Sequence, residues 1–188
     1  MANIKSVVVN VINRDYQKYS PAVKRWNEVM LNAPVTGDPV RHRRDALNIA
    51  KIGRQANFVI EEAKEIRDGF EAGDVQEILD GHLDVRFVND QVGVYLEALG
   101  IDLDAAWEEV CASNNSKFST DLEMMLKSAK RLTEELGDEV VVQMAPVVDG
   151  EQTTYILKRT SNGKIMKPDC FREPNLRQFI PEHLRNAI

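Results

Sequence analysis

Six carboxylates are spaced for joint chemistry: Glu61, Glu62 and Glu65 in the run IEEAKEI, and Glu77, Asp80 and Asp84 in EILDGHLDV. Residues three and four apart share a helix face, so 61/65, 62/65, 77/80 and 80/84 each point together. Two such faces packed antiparallel gather the acids into one cluster. Clustered carboxylates stay ionised together only if a cation neutralises them or some of their pKa values rise. All-oxygen donors favour Mg²⁺ or Mn²⁺ over zinc. The spacing therefore predicts a metal site.

The apolar pattern places these acids beside a buried seam and not on a plain solvated face. Ile49, Ile52, Ala56, Val59, Ala63 and Ile66 recur at steps of three and four, and Glu62 sits about 60° round the helix from Val59 and from Ile66. On the next helix the stripe Glu77, Asp80, Asp84 runs on into Phe87, Val88 and Gln91. His82 lies between two of these acids in sequence but on another face, and is not assigned as a ligand.

The elements that must position the acids are mostly helices. Residues 1–19 fit a strand or a short helix equally. Ser20-Pro21 opens a helix with Val23, Trp26, Val29 and Met30 at helical steps, ending near Asn32. Pro34, Gly37, Asp38 and Pro39 make Ala33 to Val40 a loop. One long helix is predicted from about Asp45 to Ala72, stopped by Gly69 and Gly73, and a second from an Asp74 cap to Leu99, stopped by Gly100. A third opens at Asp102 or Asp104 and breaks after Ala112 at Ser113-Asn114-Asn115-Ser116. A fourth covers Thr120 to Leu136, ending at Gly137. Beyond it the period changes: Val140 to Val142 and Thr153 to Leu157, separated by a turn at Asp149-Gly150, predict a β-hairpin. Ser161-Asn162-Gly163 is a second tight turn, and the tail from Pro174 carries a short helix. Trp26 and Trp107 are read as packing residues.

The expected architecture is mainly α, a helical bundle over residues 1–137 carrying the site, with a small C-terminal β-hairpin and tail over 138–188 packed on it. At 188 residues the chain can bury a substantial core. A net charge of −6 and a pI near 5.2 speak against a general nucleic-acid or anionic-membrane binder. Cys111 and Cys170, with His42, His82 and His183, form no metal-finger or HExxH pattern. No apolar run reaches the roughly 20 residues that span a bilayer, and no signal-peptide order opens the chain; a cytoplasmic protein is expected. Long apolar stripes, including Val85, Val88, Val92, Leu96 and Leu99, predict a homodimer or homotetramer.

These residues resemble the all-α nucleoside triphosphate pyrophosphohydrolases, the MazG-like superfamily, whose signature is EExxE on one helix and ExxD on the next. Here that is Glu61-Glu62-Ala63-Lys64-Glu65 and Glu77-Ile78-Leu79-Asp80. Asp84 one turn on, Gly100-Ile-Asp-Leu-Asp104, Ser113-Asn114-Asn115-Ser116-Lys117 and Gly163-Lys164-Ile-Met-Lys167-Pro168 resemble the phosphoribosyl-ATP pyrophosphohydrolase-like branch, often phage or bacterial. Cys111, Asn115 and Arg86 depart from the branch's usual residues.

The resemblance implies conversion of a (d)NTP to (d)NMP and pyrophosphate with Mg²⁺ as cofactor, Mn²⁺ being an alternative. It implies that Glu62, Glu65, Glu77 and Asp80 are metal ligands, that Asp84 is a ligand or supports one, and that Glu61 orients or deprotonates the attacking water or holds a further metal. Asn114, Lys117, Lys164 and Lys167 are implied to bind substrate. Phosphoribosyl-ATP hydrolysis is the same-class alternative. A non-catalytic nucleotide sensor on the same fold is the alternative from another class.

Overall fold

The computed structural model describes residues 21–145 and 152–185. The open assignment of residues 1–19, the Ser20 cap and the Asp149-Gly150 turn lie outside the described residues. The chain is mainly helical, with one small antiparallel sheet. Helix α1 covers residues 21–29, α2 Arg41–Ala72, α3 Val75–Ala98, α4 Leu103–Asn115 and α5 Leu122–Leu136. Strands β1 Phe118–Ser119, β2 Val140–Met144 and β3 Tyr155–Arg159 follow the order β1-β3-β2. Two 3₁₀ turns, Leu176–Phe179 and Glu182–Leu184, lie in the tail. Among the described residues, no helix is long and apolar enough to cross a membrane.

The chain divides into two compact units. One holds the chain up to Ala106 together with the segment from Arg177; the other is Trp107–Leu176.

In the first unit, α2 and α3 form an antiparallel hairpin with a very short connection. Gly73, at φ 70°, ends α2 in the left-handed region that a side chain disfavours. Asp74 then caps α3, its carboxylate accepting from the Gln76 and Glu77 backbone N–H groups at 2.9 and 3.2 Å. The helices approach closely because two glycines lie in the seam. A Cβ on Gly81 would stand 3.0 Å from the Ile66 nitrogen and 3.2 Å from the Glu62 carbonyl oxygen. One on Gly69 would stand 2.9 Å from the Glu77 Cβ.

Helix α1 docks on this pair through a T-shaped contact of Trp26 with Phe87, ring centroids 5.6 Å apart, and through a Lys24–Glu97 ion pair. Its packing role matches the sequence expectation. The loop after α1 is held by α2: Asn48 exchanges hydrogen bonds with Val35, and Lys51 donates to the Ala33 carbonyl. Helix α2 starts four residues earlier than the Asp45 expected from apolar periodicity. Asp38 accepts from the Val40 N–H, and the Val40 carbonyl accepts from Arg43 and Arg44, so the first turn closes over a run with no apolar signal.

In the second unit, α5 covers one face of the sheet. Met125, Ala129, Leu132, Val140 and Leu157 form its core. Asp121 caps α5, Gly137 ends it, and Thr133 accepts from the Val140 N–H to tie helix end to strand. The expected hairpin is present as β2 and β3, in register from Val140 opposite Arg159 to Met144 opposite Tyr155. Strand β1, not anticipated, pairs with the other edge of β3; two residues are too short to show a period. Helix α4 also runs past the predicted break, to Asn115. Ser113 is buried and its hydroxyl donates to the Arg172 carbonyl, so a tertiary bond holds a residue whose local preference is for a turn.

The glycine seam gives a paired prediction. Gly81→Ala must push Ile66 or α2 aside and lowers stability by about 1–3 kcal/mol. Gly53→Ala, where a Cβ meets nothing within 4 Å on the same helix pair, raises it by about 0.5–1 kcal/mol. Urea midpoints of both variants measure the contrast; equal shifts would show that the close approach at Gly81 carries no constraint.

Candidate metal centre on the α2–α3 seam

The turn of α2 that carries the acids runs alongside Gly81, and this sets which carboxylates meet. Because the Gly81 position lies against the Glu62 carbonyl and Ile66, Asp84, three residues further along α3, is brought beside Glu62. The electrostatics register the meeting. The Glu62 carboxyl is pushed above its ordinary pKa by burial first, then by the charges of Glu65 and Asp84, a hydrogen bond shared with Glu65, and the charge of Glu61. Glu62 is half-buried, while Glu61, Glu65, Glu77, Asp80 and Asp84 are exposed. Of the six predicted acids, Glu61, Glu65 and Asp84 thus stand near enough for their charges to act on Glu62.

Glu77 and Asp80 lie on the same stripe of α3, nearer the α2–α3 turn. Glu77 packs its stem on Gly69, two helical turns from Glu62. His82 is exposed on α3. Among the described residues, no three His, Cys, Asp or Glu side chains stand close enough to cage a metal as they are.

The predicted substrate-binding residues fall in the second unit. Lys117 donates to the Asn114 side-chain oxygen at 2.7 Å and stands 6.0 Å from the centre of the Phe171 ring. Lys167 stands over the same ring at 4.4 Å and pairs with Glu173 at 2.6 Å. Phe171 thus gathers Asn114, Lys117 and Lys167. Lys164 is exposed at the turn after β3, where its N–H is held by Asn162 and its carbonyl by Arg159. Arg172, next to Phe171, is clamped by Glu109, whose carboxyl is held below its ordinary pKa by that guanidinium and by the Asn175 N–H. The Glu109–Arg172 clamp joins residues 63 apart, a separation at which spacing rules are silent.

No protein-family model matches this chain, and neither does any curated protein or solved structure. The geometry of its own residues therefore carries the functional argument.

A second group in the first unit was only half visible in the sequence. Gln55 stands seven residues before Glu62, and Gln91 seven after Asp84, so both continue the acidic stripes into the core. Both are buried, as are Asn27 and Asp90. The signal is a polar residue at an apolar register position, which a stripe that runs on through Phe87, Val88 and Gln91 does not set apart.

The raised Glu62 carboxyl fixes a pH dependence. A folded pKa above the unfolded one gives stability that is complete below the unfolded pKa and lost as pH rises through the folded pKa. In chelator-treated buffer, Glu62→Gln, which keeps the shape without the charge, denatures later than wild type at neutral pH. The two midpoints converge as pH falls through the carboxylate range. A gap that is constant with pH would remove the crowding at Glu62.

Proposed function

We propose that the chain is a Mg²⁺-dependent nucleoside triphosphate pyrophosphohydrolase, releasing pyrophosphate and a nucleoside monophosphate, and a member of the all-α, MazG-like superfamily. The observation that carries the reading is that Glu65 on α2 and Asp84 on α3 both act on the half-buried Glu62, whose carboxyl is held above its ordinary pKa by burial first and then by these charges. A carboxyl whose neighbours favour its protonated form is one whose ionised form a divalent cation stabilises.

The residues fit such an ion. Every donor is a carboxylate oxygen, the ligand type suited to Mg²⁺ or Mn²⁺. The resemblance assigns Glu62 and Glu65 from α2 and Glu77 and Asp80 from α3 as ligands, with Asp84 a ligand or a support; of the α3 acids it is Asp84 whose charge reaches Glu62, while Glu77 lies on Gly69 two turns away. Mg²⁺ held by these residues would supply charge to offset the phosphates and would lower the pKa of water. Glu61, next to the ligand pair and exposed, orients or deprotonates the attacking water. The substrate-binding roles of Asn114, Lys117, Lys164 and Lys167 rest on the resemblance; Lys117 and Lys167 share the Phe171 ring, with Lys167 held by Glu173.

Self-association belongs to the same reading. Val75, Leu79 and Leu83 recur at four-residue steps on α3 and are 76%, 56% and 51% exposed. Such a stripe is covered when a helix hairpin pairs with another copy.

The test is pyrophosphate release from a panel of NTPs, dNTPs and phosphoribosyl-ATP, with Mg²⁺ or Mn²⁺. Wild type releases pyrophosphate only with metal, and Glu62→Gln loses at least about 100-fold in kcat/KM. Mg²⁺ raises the denaturation midpoint of wild type and not of the variant. Light scattering finds a dimer or tetramer. Nucleotide binding without turnover on any substrate would instead make the chain a sensor.

A further inference from the structure

The first unit buries hydrogen-bonding atoms that have no partner among the described residues. Both amide atoms of Asn27, the Oε1 atoms of Gln55 and Gln91, and Oδ2 of Asp90 have no partner. Asn27 is 0%, Gln91 2% and Gln55 3% exposed. Buried polar groups are nearly always paired, so several unpaired ones in one region of a core point to a partner from outside the chain.

Their positions converge. Phe87 on α3 meets Trp26 from α1 in a T-shaped contact; Asn27 is the next residue on α1, and Asp90 and Gln91 form the next turn of the Phe87 face. Gln91 is followed one turn later by Tyr95, fully buried, whose hydroxyl donates to the Asn32 carbonyl at 2.7 Å. The Gln55 side chain lies within hydrogen-bonding reach of that hydroxyl. The Asn32 N–H in turn binds the Asn27 carbonyl at 2.7 Å, and the Lys51 ammonium stands 5.6 Å from the Tyr95 ring centre. Gln55 and Gln91 thus flank one tyrosine, and Asn27 begins the backbone turn to Asn32 whose carbonyl takes its hydroxyl.

Their distance from the acids is also fixed. α2 and α3 are antiparallel, so stepping from Glu62 back to Gln55 and from Asp84 on to Gln91 moves the same way along the seam. Seven residues are two turns, about 10.5 Å. That is a span that a sugar and a base can bridge from a phosphate. Carboxamides offer a donor and an acceptor side by side, the pattern that pairs with the edge of a nucleobase.

We propose that Asn27, Gln55 and Gln91 form the base-recognition site of this protein, taking the hydrogen-bonding edge of the nucleobase whose phosphates meet Glu62, Glu65 and Asp84. The identity of the ligand as a nucleotide rests on the pyrophosphohydrolase reading. The amides lie two turns deeper than the acids, so base binding requires α1 to yield at Trp26 and Asn27.

The test titrates the full chain calorimetrically, without added metal, with the common ribo- and deoxyribonucleoside 5′-monophosphates, and separately with Mg²⁺-pyrophosphate. Gln91→Met and Gln55→Met keep side-chain length while removing the amide. The expected result is binding of at least one monophosphate, weakened about tenfold or more by either variant, with Mg²⁺-pyrophosphate binding and thermal stability retained or improved. Unchanged monophosphate affinity in a folded variant, or no monophosphate binding by a wild type that binds Mg²⁺-pyrophosphate, overturns the base site and leaves the metal reading standing. Amide-dependent monophosphate binding without pyrophosphate release from any triphosphate keeps the base site and overturns the hydrolase.

Discussion

The close approach of α2 and α3 at Gly69 and Gly81 is the constraint on which the rest of the first unit depends. Without a side chain at Gly81, the α3 backbone reaches the Ile66 nitrogen and the Glu62 carbonyl. Every residue at a fixed step from that contact is then placed as well. Asp84 is set beside Glu62, and Gln91 reaches the level of Gln55 two turns on. A helix pair held apart by larger residues would keep the same acids on the same faces and leave their charges too distant to act on one another.

This seam carries unfavourable chemistry at two levels. Near its outer end the Glu62 carboxyl is pushed up in pKa, by burial first and then by the like charges of Glu65, Asp84 and Glu61. Deeper in, amides lie without partners, each costing about 1–3 kcal/mol relative to a satisfied group. Elsewhere the same unit meets its polar obligations closely: Asn48 is satisfied by Val35 on both amide atoms, and buried Asp45 is engaged by His183 and Arg41. The unsatisfied groups are thus local to one stretch of the helix hairpin and to Asn27 on α1, which docks there, the pattern expected where residues serve something other than stability.

Much of the helical frame could be read directly. Asp74 as a cap, Gly73 and Gly137 as stops, and the period-two runs around Val142 and Leu157 signal through local backbone preference, and local preference is what spacing reports. The start of α2 at Arg41 and the last turn of α4 through Ser113 escaped for the opposite reason. Each depends on a hydrogen bond whose partner the pattern does not name, Asp38 in one case and the Arg172 carbonyl in the other. Strand β1 exists only because β3 offers it an edge. At the candidate site the spacing gave the shared faces of Glu62, Glu65 and Asp84. That Asp84 would act on Glu62 while Glu77 packs on Gly69 depends on the register of two helices, which the glycines set and composition does not.

The second unit is one uninterrupted stretch of chain, Trp107–Leu176, whereas the first is completed only by the segment from Arg177. Asp45 receives His183, 138 residues away, and Leu184 is buried in the same tail. During synthesis the helix–sheet unit therefore has all of its own residues before the helical unit does. The long helices emerge first yet wait longest for their last contacts, and a loop spanning most of the chain must close to supply them. Long-range closure of this kind is entropically costly and slow. The element made earliest is consequently the one whose apolar faces are longest exposed to other molecules.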